Sequence, residues 1–329
     1  MTVLVTGGSG LVGSHVIETL RRAAVPMRAL VRPGGEAVVQ ALGAEPVTGD
    51  VTDAATWRRA AAGGLSGIVH AAAMVGPGAT ARAYEVNLGG TRLAVETARA
   101  TGAHLVHVSS VSVYSGSADY RPTAERRTED TAFQPIAPDD HYARSKREAE
   151  QLILEAAQTG AIGGGTTVVR PDVIYGERDR LFAPRIHRSI RARILPLVGP
   201  GTNHLPCVYA GNVAAAIVAA LNLRRTDYRA YNITRDAGPA LTLREFMQAF
   251  ADAAGIRIRV VRLPLPLARW LLGIWSGRRL AQAALAFMTG EDPYVSERAE
   301  QELGWRPVVD TRTGIERTVR WVMGNEKPG

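Results

Sequence analysis

Eight residues near the start of the chain, TGGSGLVG at 6–13, restrict the fold more than any other feature. They follow an apolar run that reads as a strand, TVLVTG (2–7), and open a helical candidate over 11–24. Gly7, Gly10 and Gly13 stand three apart. Glycine lets the backbone turn tightly and approach a pyrophosphate, whose negative charge is favoured by the free N–H groups and dipole of a helix N-terminus. Alone the triplet is a weak signal whose alternative is a structural turn. Between a strand and a helix it predicts a dinucleotide site.

The alternation continues. Strand-like runs at MRALVR (27–32), EPVTGD (45–50), GIVHAA (67–72), HLVHVSS (104–110) and TTVVRP (166–171) are separated by helical candidates at 35–43, 53–62, 80–101 and 141–158. Units in this order call for a parallel sheet with helices on both faces, an α/β fold of the doubly wound Rossmann type. With 329 residues, 46% of them hydrophobic, the chain has material for that core and for a second unit. Past position 170 the pattern loosens, punctuated by Pro184, Pro196, Gly199, Pro200 and Gly201, before CVYAGNVAAAIVAALN (207–222) returns as a strand and helix. The expected organisation is a Rossmann domain over 1–170 plus 207–233 and a smaller, mixed substrate-binding domain over 171–206 plus 234–329.

The end of the second strand bears on which dinucleotide is bound. The ribose 2′-hydroxyl of NAD wants a carboxylate about 20 residues beyond the glycines. Here Arg32 stands in that place, and the first acid is Glu36. A guanidinium pairs well with a 2′-phosphate, which favours NADP(H) over NAD(H); the alternative is a solvent-facing Arg32 with Glu36 on the ribose. Asp50, in GDVTD, stands where it would meet an adenine amino group or cap a helix.

The chain has 39 Lys plus Arg, and only two are Lys: Lys146 and Lys327. Lys146 follows Tyr142 by four residues in HYARSK (141–146), so the exception marks a place where a compact ammonium does what a planar guanidinium does not. APDDHYARSKREAEQLILEAA reads as a helix with Asp139 or Asp140 as N-cap, which puts Tyr142 and Lys146 on one face, about 6 Å apart along the axis. A phenol that exchanges protons near neutrality needs its pKa lowered by about three units, roughly 4 kcal/mol. One ammonium about 4 Å away in an effective dielectric of about 20 supplies a term of that size. Ser109 and Ser110 end HLVHVSS at the carboxyl edge of the sheet, where open α/β folds place ligands, and either hydroxyl is a candidate to hold a substrate oxygen.

TGGSGLVG, GDVTD, HAAA, NLGGT, VSSVSVY, YARSK and RPDVIYG occur in the order and spacing of the extended short-chain dehydrogenase/reductase superfamily. VYAGNVAAAI, YNIT and ELGWRP carry the resemblance over nearly the whole chain. It implies that Ser110, four residues before Tyr114, is the catalytic serine, that Tyr142 is the acid/base and that Lys146 supports it. Asn87 would help to order a proton relay, although a mid-helix Asn also serves to satisfy a buried backbone group. VYS replaces the family's VYG. For the cofactor the resemblance implies contacts at Gly7, Ser9, Gly10, Leu11, Val12 and Gly13. It adds Arg32, Asp50 and Val51, then Ala71, Ala72 and Ala73, and Tyr142 and Lys146 themselves, with Pro171 and Ile174 flanking the nicotinamide.

Members that dehydrate nucleotide sugars resemble one another in an acidic pair directly after the catalytic hydroxyl residue. Val111 and Ser112 stand there in this chain, without an acid and base for water elimination. Sugar-nucleotide epimerases typically carry an acidic residue for bound NAD, where this chain has Arg32, and often an Asn where it has Asp172. The pattern resembles most the 3β-hydroxysteroid dehydrogenase and dihydroflavonol-reductase-like branch. That implies reversible hydride transfer between a nicotinamide and a bulky apolar ketone or secondary alcohol, sterol-, polyketide- or flavonoid-like. A nucleotide-sugar 4-epimerase with tightly bound NAD is the alternative; a non-catalytic NADP(H)-sensing regulator is a third reading, disfavoured because such proteins tend to lack the Tyr/Lys pair.

A net charge of +8 on scattered arginines reads as diffuse surface charge, not as a nucleic-acid site. The single cysteine, Cys207, excludes an internal disulfide and reads as a buried small hydrophobe. With no basic and apolar leader before TVLVTG, the expectation is a cytoplasmic protein. LPLPLARWLLGIWSGRRLAQAALAF (263–287) is interrupted by Arg269, Arg278 and Arg279, against a spanning helix. A substrate lid, a peripheral membrane contact and plain core remain open for its Trp270, Leu271, Leu272, Ile274 and Trp275. The seven His residues lack metal-ligand spacing, and no metal is expected. The resemblance also implies a small-molecule substrate and a homodimer through a helix pair, for which 80–101 and 141–158 are candidates.

Overall fold

The structure, a computed structural model, describes residues 2–75, 81–116, 126–223, 225–268, 270, 285–286, 288–291 and 293–325. The six strands expected from the first half form: β1 (Val3–Thr6), β2 (Met27–Val31), β3 (Glu45–Thr48), β4 (Gly67–His70), β5 (His104–Val108) and β6 (Thr166–Pro171). Three more short strands follow as β7 (Val173–Tyr175), β8 (Ile194–Val198) and β9 (Cys207–Tyr209). The last two are β10 (Tyr228–Ile233) and β11 (Arg259–Leu263). One seven-stranded sheet runs in the order β10-β6-β5-β4-β1-β2-β3, every neighbouring pair parallel. The strand order reverses between β1 and β4, and in such sheets the crevice at the carboxyl ends of those two strands receives the ligand.

Successive residues of a strand face opposite sides. Val3 and Val5 therefore join the core under α1 (Leu11–Arg22), α2 (Glu36–Leu42) and α7 (Ala210–Leu223). Leu4 joins the core under α3 (Ala54–Ala61), α4 (Ala81–Thr101) and α5 (His141–Gln158). Both faces being covered, β1, β4, β5 and β6 are buried along their length. The helices α4 and α5, proposed above for a dimer contact, pack on each other within the chain: Asn87 Nδ2 donates to Ser145 Oγ at 3.0 Å, and the Tyr84 hydroxyl donates to Glu148.

A second core forms where α6 (Phe182–Arg191), α8 (Leu243–Ala253) and α10 (Thr311–Asn325) enclose Tyr175, Phe246 and Phe250, together with the β7–β9 and β8–β11 pairs. Between α8 and α10 lies α9 (Glu297–Glu302). Asn212 joins the two cores. Its buried amide donates to Asp236 Oδ1 and to the Val309 carbonyl, both at 2.8 Å, and its oxygen accepts from the Val308 and Val309 amides. Leu271, Leu272, Ile274 and Trp275 lie outside the described residues; Trp270 is exposed.

Candidate active site

The glycine turn and the end of β4 meet at the reversal point. Gly7 adopts φ +70°, and a Cβ there would fall 2.9 Å from Ala72 Cα, so the close approach of these two segments requires glycine. A Cβ on Gly13 would collide with the Gly7 carbonyl, which sets the first turn of α1 against the loop. Gly10 is the N-cap of α1 and supplies no side-chain cap, while a Cβ on it would meet only the Gly7 oxygen at 3.2 Å. The amides of Leu11, Val12 and Gly13 thus begin a helix at an end open to an anion, the donor set a pyrophosphate fits.

Around this turn, Ser9 lies against Gly35, whose Cβ would stand 3.2 Å from Ser9 Oγ. That brings the loop beside the exposed Arg32. Glu36, the competing ribose partner, is already engaged: its carboxylate accepts from the Gly34 amide at 2.7 Å and from Thr48 Oγ1 at 2.9 Å. Asp50 accepts from the amide and hydroxyl of Thr52, which lower its pKa, and the charge of Arg32 adds to that. Asp50 is not a helix cap; Asp53 fills that place for α3, accepting from the Ala55 and Thr56 amides. Val51 is half-buried beside Gly90, with its carbonyl accepting from Trp57 Nε1. Ala71, Ala72 and Ala73 continue from β4, and the Ala72 amide donates to Thr6 Oγ1. Pro171 ends β6, and Ile174 sits half-buried in β7, against the core that contains α1.

Two strands along from β1, β5 delivers the other half of the site. The Ser110 hydroxyl accepts from the Ser112 amide at 3.2 Å, capping a short 3₁₀ turn, Val111–Val113, and lies near enough to the Tyr142 phenol to lower its pKa. Ser109 Oγ, in contrast, is buried with no partner among the described residues. Asp140 caps α5 by accepting from the Ala143 amide at 3.2 Å, which fixes the entry of Tyr142. One turn on, Lys146 is buried and donates from Nζ to the Val108 carbonyl at 2.7 Å. Asn87 receives the Met74 amide at 2.8 Å and donates to the Met74 carbonyl and Ser145 Oγ, while Ser145 donates to the Tyr142 carbonyl. It therefore pins the segment after β4 to the first turn of α5.

The electrostatics differ from the expectation in one respect. Burial pushes the Tyr142 phenol up to about 12, opposed by the Ser110 hydroxyl and reinforced by the charge of Asp140. Lys146 was expected to lower the phenol. Its ammonium is instead drawn to the end of β5 by Val108, and burial brings Lys146 itself down to about 8 against the pull of Glu150. Behind it, His70 and His107 stack with ring centroids 5.4 Å apart. Burial, then the charge of Lys146, lowers both, His70 to about 3, so the pair is neutral and spares Lys146 a second buried cation.

The profile of the NAD dependent epimerase/dehydratase family matches residues 3–234, from β1 through β10. The chain belongs to that family. Among relatives of this NAD dependent epimerase/dehydratase family member is a 4-hydroxy-2-methyl-3-oxo-4-farnesyl-3,4-dihydroquinoline-1-oxide ketoreductase of Stigmatella aurantiaca, 30% identical over 96% of this chain and 95% of that one. A 3 beta-hydroxysteroid dehydrogenase/Delta 5-->4-isomerase of Mycobacterium tuberculosis is 28% identical over 95% and 88%. Among solved structures, a UDP-glucose 4-epimerase of Thermotoga maritima superposes with a TM-score of 0.76 at 21% identity, covering 98% of this chain and 99% of that one. That likeness concerns the fold.

Two groups beside the site of this family member escaped the sequence reading. Arg170 of β6 and Glu150 of α5 form a buried pair: Nε donates to both carboxylate oxygens at 3.0 and 3.1 Å and Nη2 to Oε2 at 2.5 Å. Arg170 also donates to the Tyr114 hydroxyl, which donates to Asn232 Oδ1. A charged residue inside the apolar run TTVVRP, with an acid one turn beyond Lys146, was the available signal. The second group links α1 to the segment after β7: Glu177 accepts from Tyr209 at 2.7 Å and meets His15 Nε2 at 3.1 Å, and Arg178 donates to Ser14 and Glu18. Burial opposes ionisation of Glu177, but its bonds from His15 and Tyr209 outweigh it and hold the carboxyl at about 2. Among the described residues, no group of three or more His, Cys, Asp or Glu is placed to hold a metal ion.

Proposed function

We propose that this family member reduces the carbonyl of a bulky apolar ketone, reversibly, with NADP(H) favoured over NAD(H). The observation that carries the reading is the placement of Ser110 where it acts on the Tyr142 phenol, with buried Lys146 one helical turn away. Bound at the glycine turn, the dinucleotide would supply hydride at nicotinamide C4. Ser110 and Tyr142 donate to the carbonyl oxygen, and Tyr142 gives up its proton as that oxygen becomes an alkoxide. A phenol raised to about 12 suits this direction, because it stays protonated near neutrality and is still a stronger acid than a secondary alcohol. Lys146 then stabilises the phenolate left behind. Val111 and Ser112 close the 3₁₀ turn and supply no acid or base for water elimination. The names of the ketoreductase and hydroxysteroid dehydrogenase relatives support an apolar substrate, and Arg32, beside the glycine turn with Glu36 otherwise engaged, supports a 2′-phosphate.

The test is to mix the purified protein with NADPH deuterated at C4 and a panel of cyclic and polyketide-like ketones. Deuterium in the product carbinol, with NADPH oxidised stoichiometrically, is the expected result. Retained NAD, no ketone turnover and interconversion of UDP-sugars would replace this reading with that of an epimerase.

A further inference from the structure

The segment that follows β7 packs on the helix that opens at the glycine turn. A Cβ on Gly176 would stand 3.3 Å from Leu11 Cδ1 and 3.4 Å from His15 Cε1. Arg178 adopts φ +69°, unfavourable for a residue with a Cβ. It is held there by bonds from Nε to Ser14 Oγ at 2.6 Å and from Nη2 to Glu18 at 2.8 Å. Between these contacts His15, 3% exposed, sets Nδ1 2.8 Å from the Leu11 carbonyl oxygen and Nε2 3.1 Å from Glu177 Oε2. A carbonyl oxygen only accepts, and so does the Glu177 carboxylate, held at about 2. Both ring nitrogens therefore donate, and the ring carries a positive charge. Around it stand Glu18 on the same helix, Arg178 beside Glu177, Tyr209 of β9 and Arg317 of α10. Tyr209 meets the ring edge-on at 5.6 Å and donates to the same Glu177 oxygen, while Arg317 lies over the Tyr209 ring.

The Ser14 amide donates to the Gly10 carbonyl, which leaves the amides of Leu11, Val12 and Gly13 without partners inside the helix. The Leu11 carbonyl and the Val12 amide belong to one peptide unit. A cation that donates to the carbonyl polarises the unit and makes its N–H a stronger donor. It also adds positive charge near the end of α1 where the helix dipole has the same sign. Phenylalanine would fill the same space against Gly176 and Tyr209, but only a charged imidazole makes both bonds. We propose that His15 is a positioning residue of the dinucleotide site: paired with Glu177, it strengthens the Val12 amide as a donor to the pyrophosphate and ties that turn to the segment beyond Ile174. The proposal rests on the reading of the glycine turn as a dinucleotide site, and not on which carbonyl is reduced.

The experiment is calorimetric titration of the full chain, and of His15→Phe and His15→Gln, with ADP-ribose, which carries the pyrophosphate, and with adenosine, which does not. ADP-ribose should bind about tenfold more weakly to both variants, with adenosine within about twofold of the parent and circular dichroism unchanged. Unchanged ADP-ribose binding in the variants would overturn the proposal. So would a parallel loss of both ligands, which would make His15 a general prop of α1. A parent that binds neither ligand would refute the dinucleotide reading itself, and the role of His15 with it.

Discussion

Lys146 directs its ammonium to the carbonyl oxygen of Val108, 2.7 Å away, at the point where β5 ends. The lysine is buried, and its pKa falls from 10.5 to about 8. The folded protein therefore binds this proton more weakly than the unfolded chain does. The ammonium costs stability below pH 8, the cost shrinks as pH rises toward 10.5, and it is gone above that. Lys146→Met is expected to abolish turnover yet stabilise the fold near neutral pH by about 1–2 kcal/mol, after allowance for the lost Val108 hydrogen bond. Urea melts at neutral and alkaline pH check both the gain and its decline with pH. A less stable variant at neutral pH would contradict the account.

Tyr142→Phe removes the hydroxyl on which Ser110 acts and little else. Dinucleotide affinity should stay within about threefold of the parent, while kcat falls by about 100- to 10,000-fold. Stopped-flow hydride transfer, together with a fluorescence titration of the cofactor, separates the two quantities.

Arg32 is exposed beside the glycine turn, so its replacement should leave the fold intact. If it holds a 2′-phosphate, Arg32→Ala weakens NADPH by about 10- to 100-fold and leaves NADH nearly unchanged. Equal losses for the two nucleotides would remove Arg32 from that role.

Arg170 and Glu150 are 4% and 3% exposed, and each is the other's main compensation. Arg170→Met alone should cost about 3–5 kcal/mol, because it strands a buried carboxylate. Adding Glu150→Leu should recover much of that loss. Denaturant unfolding of the two singles and the double measures the coupling.

Much of this was legible in the sequence for a definite reason. Parallel strands covered on both faces must be apolar throughout, so β1, β4, β5 and β6 stand out as short uninterrupted runs. The glycine spacing marks a turn where backbone meets backbone, at Gly7 and Ala72. The Tyr142–Lys146 spacing placed both on one helix face before any contact was known. What stayed hidden depended on contacts between distant positions. Ser109 and Ser110 are chemically identical, and only the fold turns one of them toward Tyr142. Spacing gives a distance to Lys146 but neither the depth of burial nor the pull of Val108, so it does not set the direction of the Tyr142 shift. The pair β8–β11 joins segments whose alternation of Arg with Val, Leu and Ile reads equally well as loop.

Residues 126–130, beside Tyr114, are fastened by groups that arrive much later in the chain. Arg126 donates to Glu297, Arg127 to the Tyr294 hydroxyl and Arg298 to Asp130, across separations of 171, 167 and 168 positions. During synthesis the nucleotide half has nearly all its strands before these fasteners leave the ribosome. A chain stalled or clipped ahead of position 290 would thus keep its glycine turn but leave residues 126–130 without these partners. The late helix α9 and its flanks act as a clasp that the chain closes last.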